Sequence, residues 1–155
     1  MAITYSLEEI LTFAVKIEEQ GMAFYAAVAK KGRNKDAQDL YRYLHDEEVK
    51  HRETYRGMLE ELHSGASPDA DDAEYSGYLR ALVESTVFRK EDISSLPAND
   101  SDIVDYAIDR EKDSVLFYIE IKDHLPAKDR DAVERIIDEE RHHIVKLLDI
   151  KEKIG

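Results

Sequence analysis

Two segments of the sequence carry the same acidic motif with a histidine. Residues 46–51 and residues 138–143 both read D-E-E-x-x-H. If each segment is helical, the second glutamate and the histidine point from one face, because residues three positions apart in a helix are neighbours. A carboxylate beside an imidazole could bind a divalent metal ion. The candidate ligands in these motifs are Glu48 with His51 and Glu140 with His143.

A second motif supplies one further carboxylate in each half of the chain. Residues 14–25 and residues 107–118 both read A-x-x-x-E-x-x-x-x-x-F-Y, and their glutamates are Glu18 and Glu111. Glu111 follows Glu18 by 93 residues, and the second D-E-E-x-x-H motif follows the first by 92. This regular spacing indicates an internal repeat, so we interpret the chain as two copies of one helical hairpin.

Four long helices are predicted to position these motifs. Apolar residues recur at helical spacing, the chain has only three prolines, and no segment alternates as a strand would. The residues from Ser6 to Glu9 form a capping-box pattern, which indicates a helix start. The sequence predicts an all-α, four-helix bundle of two hairpins, in one domain over residues 1–155. The four predicted helices cover residues 7–30, residues 35–63, residues 101–124, and the chain from the Leu125-Pro126 turn to about residue 153. A long crossover after the second helix is predicted to contain a short helix near residues 75–83.

Six ionisable residues fall on the stripes that should face the interior of the bundle. On each helix, steps of three and four residues along the apolar stripe pass through one glutamate or one Glu-x-x-His pair. Burying ionised carboxylates costs several kcal/mol each unless a cation compensates. Two divalent ions would balance four carboxylates, and this ligand set is the one that holds di-iron and di-manganese sites in helical bundles. The six candidate metal ligands are Glu18, Glu48, His51, Glu111, Glu140 and His143.

The two motifs, repeated in phase, resemble the ferritin-like superfamily and, within it, the rubrerythrin-like proteins. The resemblance covers nearly the whole chain and is least diagnostic between residues 64 and 100. It implies a ferritin-like bundle around two iron ions, with manganese or a mixed pair as alternatives. It also implies a role for each ligand: Glu18 and Glu111 as terminal carboxylates, Glu48 and Glu140 as bridging carboxylates, and His51 and His143 as the nitrogen ligands, one for each metal.

The resemblance further implies an oxidoreductase, since family members react a di-ferrous centre with hydrogen peroxide or dioxygen. Typical rubrerythrins carry a four-cysteine rubredoxin module, whereas this sequence has no cysteine. An external electron donor, such as a rubredoxin-like protein, is therefore expected. Three alternatives remain open: a ferroxidase or iron-handling protein, a di-manganese catalase-like enzyme, and a metal-binding structural module without turnover.

Three tyrosines near the ligands have both a structural and a functional interpretation. Tyr25 and Tyr118 each follow a candidate ligand by seven residues. Either they pack in the core with satisfied hydroxyl groups, or a hydroxyl binds a ligand carboxylate and acts in catalysis. Tyr55 is interpreted as a core residue.

Other small or polar residues near the ligands are interpreted as follows. Rubrerythrins carry an additional glutamate where this chain has Ser114, mirrored by Gly21 in the first helix. The small side chains allow either a close approach of helices or an open coordination position. Glu47 and Glu139 are expected to be solvated or to contact a ligand. The remaining histidines are expected at the surface: His45, His63, His124 and His142.

The composition excludes several other classes of protein. The chain has 155 residues, 22 Lys and Arg against 35 Asp and Glu, and a net charge of −13. A strongly acidic chain without a basic stripe is not expected to bind nucleic acid or an anionic membrane. No apolar run is long enough to span a bilayer and the N-terminus does not resemble a signal peptide, so we expect a cytoplasmic protein. Rubrerythrin-like proteins are commonly dimeric, which implies a homodimer.

Overall fold

Two helical hairpins make up the part of the chain that the structure describes, namely residues 6–64, 96 and 99–154 of a computed structural model. Within each hairpin the two helices pack along one another, and the hairpins meet through α2 with α4 and α1 with α3. The predicted all-α bundle of two hairpins is confirmed. The predicted short helix in the crossover lies outside the described residues. The four helices are α1 (Leu7–Lys31), α2 (Lys35–Ser64), α3 (Asp100–Lys122) and α4 (Ala127–Ile154).

The helix boundaries follow from local hydrogen bonds. The Ser6 hydroxyl oxygen accepts a hydrogen bond from the Glu9 backbone N–H at 3.1 Å, so Ser6 is the predicted N-cap of α1. Helix α3 ends at Lys122, two residues earlier than predicted. The backbone N–H of His124 bonds to the carbonyl of Ile121, three residues back, which tightens the chain into a turn. Pro126 favours this early end, because the residue before a proline is disfavoured in the helical conformation.

One carboxylate ties the start of α3 to the turn of the other hairpin. Asp100 accepts hydrogen bonds from the backbone N–H groups of Arg33 and Asn34, at 3.1 and 2.8 Å, and from the Tyr41 hydroxyl at 3.2 Å. Gly32 lies in the same turn, where a Cβ atom would stand only 2.8 Å from Asp100 Oδ1. These contacts fix one end of the first hairpin against the second.

The stripe of residues that was predicted on each helix, at steps of three and four along the chain, faces the interior of the bundle. Each stripe residue is buried, apart from Leu7, Leu62 and Ile154 at helix ends, which are half-buried. The largest fully buried side chains include four tyrosines: Tyr25, Tyr41, Tyr55 and Tyr118. None of the four described helices combines the length and the apolar character that a membrane crossing requires.

Candidate metal centre

The six candidate ligands lie together in the middle of the bundle. Each is at most 2% exposed. Their ligand atoms form two groups of four, and within each group all atoms lie within 4.8 Å of one another. Glu48 and Glu140 belong to both groups, which is the geometry expected of carboxylates shared by two ions. The two groups are Glu18, Glu48, His51 and Glu140, and Glu48, Glu111, Glu140 and His143.

Both imidazoles turn Nδ1 toward the carboxylates. His51 Nδ1 lies 2.8 Å from Glu140 Oε1 and 3.6 Å from Glu18 Oε2. His143 Nδ1 lies 3.7 Å from Glu111 Oε1 and 3.7 Å from Glu140 Oε2. The two rings are nearly parallel, with an interplanar angle of 18° and centroids 5.8 Å apart. Each imidazole therefore faces a different terminal glutamate, while Glu140 faces both.

The donor atoms of this cluster fit a pair of divalent cations. A buried polar atom without a hydrogen bond costs about 1–3 kcal/mol, and more when the group is charged. Carboxylate oxygen and imidazole nitrogen, with no thiolate, suit iron or manganese better than metals that prefer sulfur. Each of the six side chains has one buried atom without a hydrogen bond: Glu18 Oε2, Glu48 Oε1, His51 Nδ1, Glu111 Oε2, Glu140 Oε1 and His143 Nδ1.

The carboxyl groups of the cluster have strongly shifted pKa values. Burial, followed by the nearby charge of Glu140, raises the pKa values of Glu48 and Glu111 well above their usual range. Burial raises the pKa of Glu140, but the close approach of Glu111 and of the two imidazoles, His143 and His51, outweighs it and lowers this pKa below its usual range. Without a cation, the cluster therefore favours the protonated forms of Glu48 and Glu111.

The imidazoles hold further protons. Burial lowers the pKa of His51, but the carboxylates of Glu18 and Glu140 outweigh it and raise this pKa to about 12. Burial likewise opposes the charged form of His143, yet Glu111 and Glu140 raise its pKa to about 10. An imidazolium cannot coordinate a metal through Nδ1, so a cation entering the cluster must displace these protons.

Two tyrosines reach from one hairpin to a carboxylate of the other. Tyr25 donates its hydroxyl hydrogen bond to Glu111 Oε1 at 2.5 Å, and Tyr118 donates to Glu18 Oε1 at 2.5 Å. Burial, followed by these carboxylates, raises the pKa values of both phenols well above 10, so both remain neutral donors. Each tyrosine is therefore both a buried core residue and a hydrogen-bond donor to a candidate ligand, so the two structural roles are not alternatives. Their participation in catalysis stays a prediction.

The other residues near the ligands also have definite positions. Tyr55 is buried in the core with its ring centroid 5.3 Å from that of Tyr118, and its hydroxyl makes no hydrogen bond. A Cβ atom on Gly21 would stand 2.8 Å from Glu48 Oε2, so the absence of a side chain leaves room for this carboxylate. The Ser114 hydroxyl bonds within its own helix, to the carbonyl of Arg110 at 3.1 Å.

The outer polar residues also lie where the sequence suggested. Glu139 is half exposed and its Oε2 lies 2.5 Å from His51 Nε2, so it contacts a candidate ligand. Glu47 accepts a hydrogen bond from Lys50 at 2.8 Å. Three of the remaining histidines are exposed and His45 is partly buried, in agreement with their predicted surface positions. These three are His63, His124 and His142.

The fold and the site together define an all-α, ferritin-like bundle with a buried carboxylate and histidine cluster of the di-iron type. The family model for rubrerythrin matches residues 9–151, and the chain therefore belongs to the rubrerythrin family. A crystal structure described as a ferritin-like diiron-carboxylate protein from Thermotoga maritima is 30% identical, with a TM-score of 0.69 and 98% of each chain covered. A comparison with curated proteins gave no match.

Proposed function

We propose that this protein binds two iron ions in the candidate metal centre, with manganese or a mixed pair as alternative occupants. The observation that carries the proposal is a single cluster of six buried metal-ligand atoms, four carboxylate oxygens and two imidazole nitrogens, that make no hydrogen bond. Membership of the rubrerythrin family supports it. In this proposal Glu18 and Glu111 would each hold one ion as terminal ligands, Glu48 and Glu140 would be shared by both ions, and His51 and His143 would each hold one ion through Nδ1.

We further propose that the protein is an oxidoreductase that reduces hydrogen peroxide, or dioxygen, with electrons from an external donor such as a rubredoxin-like protein. Reduction of one hydrogen peroxide to two water molecules requires two electrons and two protons. Two ferrous ions held by these ligands would supply the two electrons together, which would avoid release of a one-electron radical.

The protein's own residues orient the ligands and exclude water. Tyr25 bonds one oxygen of Glu111, and Tyr118 bonds one oxygen of Glu18. The other oxygen of each carboxylate makes no hydrogen bond and could bind an ion. Leu44 and Leu147, one turn from the ligands of α2 and α4, are fully buried. A dry, shaped cavity strengthens electrostatic interactions at the centre and limits side reactions.

Stopped-flow oxidation of the ferrous protein tests the proposed activity. Protein loaded with two Fe²⁺ per chain without oxygen is mixed with hydrogen peroxide or with dioxygen, beside free Fe²⁺ at equal concentration. We expect peroxide to oxidise the loaded protein much faster than free Fe²⁺, and a rubredoxin-like donor to re-reduce it. Equal rates for bound and free iron would contradict the oxidoreductase, whereas faster reaction with dioxygen and release of ferric iron would indicate a ferroxidase.

We also propose a homodimer, as the family resemblance implies, and sedimentation analysis of the purified protein would test it. A monomer at micromolar concentration would contradict this proposal without affecting the metal centre, because all six candidate ligands come from a single chain.

A further inference from the structure

The internal repeat is broken at the outer edge of the two histidines. The repeat relates Glu47 to Glu139 and His51 to His143, each pair 92 residues apart. A symmetric bundle would therefore place Glu139 against His51 and Glu47 against His143. The first contact exists, since His51 Nε2 lies 2.5 Å from Glu139 Oε2. The second is replaced by a contact within α2, in which Glu47 accepts from Lys50.

Both outer carboxylates lie on the side of His51. Ligand-type atoms of Glu47, His51 and Glu139 all lie within 4.8 Å of one another. Among the described residues, the carboxylates paired with His143 are those of Glu48, Glu111 and Glu140, at 3.7–3.8 Å, and each approaches Nδ1 rather than Nε2. The edge neighbour of His143 is the ring of Tyr43, with centroids 6.3 Å apart at 83°. Such an edge contact packs the imidazole but provides no carboxylate to select its tautomer.

We propose that Glu139 is a positioning residue that makes the two metal positions unequal, so that the position with His51 and Glu18 binds its ion more tightly than the position with His143 and Glu111. This inference rests on the proposed metal binding. Once an entering ion has displaced the Nδ1 proton of His51, a carboxylate at Nε2 keeps the remaining proton on that nitrogen and fixes the ring orientation, so that Nδ1 stays directed at the ion. Loss of such an outer partner lowers metal affinity by roughly 10- to 100-fold.

The inference predicts stepwise loading of the centre. The first ion occupies the His51 position, whose imidazole is already oriented across the hairpins by Glu139. The second ion must also orient His143, which has no such partner in the described residues. A species with one ion per chain should therefore accumulate at intermediate metal concentration.

Oxygen-free titration with Co²⁺ tests the inference on the full chain, with visible absorption and calorimetry as readouts. We expect two binding steps in the wild-type protein, with dissociation constants that differ by roughly tenfold or more. Glu139→Ala should weaken the first step by roughly 10- to 100-fold and merge the two steps. Glu47→Ala is the matched control, because it removes the repeat-related carboxylate that bonds Lys50 rather than a histidine, and it should change both steps much less than Glu139→Ala does. Glu139→Gln, which keeps a neutral acceptor, should restore part of the loss.

Removal of one terminal ligand assigns the steps to the two positions. In a Glu111→Ala background, where the His51 position remains complete, Glu139→Ala should still weaken binding. In a Glu18→Ala background, Glu139→Ala should have little effect. Two ions bound with equal affinity, or equal effects of Glu139→Ala and Glu47→Ala, would overturn the inequality of the two positions and leave the proposed metal binding intact. Absence of any bound metal in the wild-type protein would instead overturn the proposed function.

Discussion

The hydroxyl of Tyr25 on α1 lies 2.5 Å from Oε1 of Glu111 on α3, so a tyrosine of one hairpin holds a carboxylate of the other. Tyr118 and Glu18 form the reciprocal contact at the same distance. Glu18 and Tyr25 share a helix, yet each bonds a residue of the opposite hairpin. The two candidate terminal ligands are therefore held by the packing of the whole bundle rather than by one helix.

Removal of one of these hydroxyl groups should destabilise the protein. Tyr118→Phe leaves Glu18 with a buried oxygen that has lost its donor, and we expect the free energy of unfolding in urea to fall by about 1–3 kcal/mol. Tyr55→Phe is the control, because the Tyr55 hydroxyl is buried without a hydrogen bond, and its removal should be neutral or stabilising. Equal losses in the two variants would contradict the assigned role of the Tyr118 hydroxyl.

A methyl group at Gly21 should separate metal binding from stability. The new Cβ would stand 2.8 Å from Glu48 Oε2 and displace this carboxylate, so we expect metal affinity to fall roughly tenfold or more. Alanine is also a better helix former than glycine by about 1 kcal/mol, so the metal-free protein should not lose stability. Calorimetric metal titration and urea unfolding measure the two effects. Ser114→Ala, which adds no atom, should change neither, and unimpaired binding by Gly21→Ala would refute the displacement.

Metal uptake should release protons. At pH 7 the imidazoles, with pKa values of about 12 and 10, are protonated and must lose their protons to bind, which gives about one proton per ion. Protons from Glu48 and Glu111, whose pKa values are also raised, would bring the release to about two per ion. A pH indicator in weakly buffered solution measures this release. Uptake of two ions without proton release would show that the imidazoles are neutral beforehand.

The same linkage gives the direction of the pH dependence. The raised pKa values of His51 and His143 mean that protons compete with the metal, so affinity should increase as pH rises from 5 to 8. The stabilisation of the protein by metal, measured as the difference in melting temperature with and without it, should grow over the same interval. In the metal-free protein the imidazoles act in the opposite sense. Their contribution is complete below their usual pKa and is lost as pH rises toward about 10 and 12.

Replacement of a bridging carboxylate should abolish binding of at least one ion without unfolding the chain. Glu48 belongs to both ligand groups, so Glu48→Ala removes a donor from each position. The metal-free variant should be as stable as the wild type or more stable, because a buried carboxyl group surrounded by like charges has been removed. Elemental analysis and thermal unfolding measure these effects, with Glu47→Ala as the control, because Glu47 is the neighbouring carboxyl group outside both four-residue ligand groups. Two ions bound to Glu48→Ala would exclude Glu48 as a bridging ligand.

Much of the site follows from the sequence because helices impose a period on the side chains. Once Glu18, Glu48, Glu111 and Glu140 fall on apolar stripes, their burial follows from the burial of each stripe. The repeat of about 92 residues places them at matching heights in two hairpins. These relations depend only on spacing along the chain, and the structure reproduces them.

The end of α3 shows where local sequence reasoning loses accuracy. Apolar periodicity continues through Leu125, which favours a longer helix, yet the helix ends at Lys122. The turn before Pro126 buries Leu125 without keeping it helical. Periodicity reports which residues face the core, but a turn can satisfy the same requirement.

The sequence alone thus determined the four helices, the six side chains that must face inward and their division into two equivalent halves, because helical periodicity depends on order along the chain. Only the tertiary structure decided that each tyrosine bonds the glutamate of the opposite hairpin and that Gly21 leaves space for Glu48. It also decided that Glu139, and not Glu47, contacts a histidine across the hairpins. These contacts depend on the axial shift and rotation of one hairpin against the other, and no spacing within either hairpin encodes that rotation.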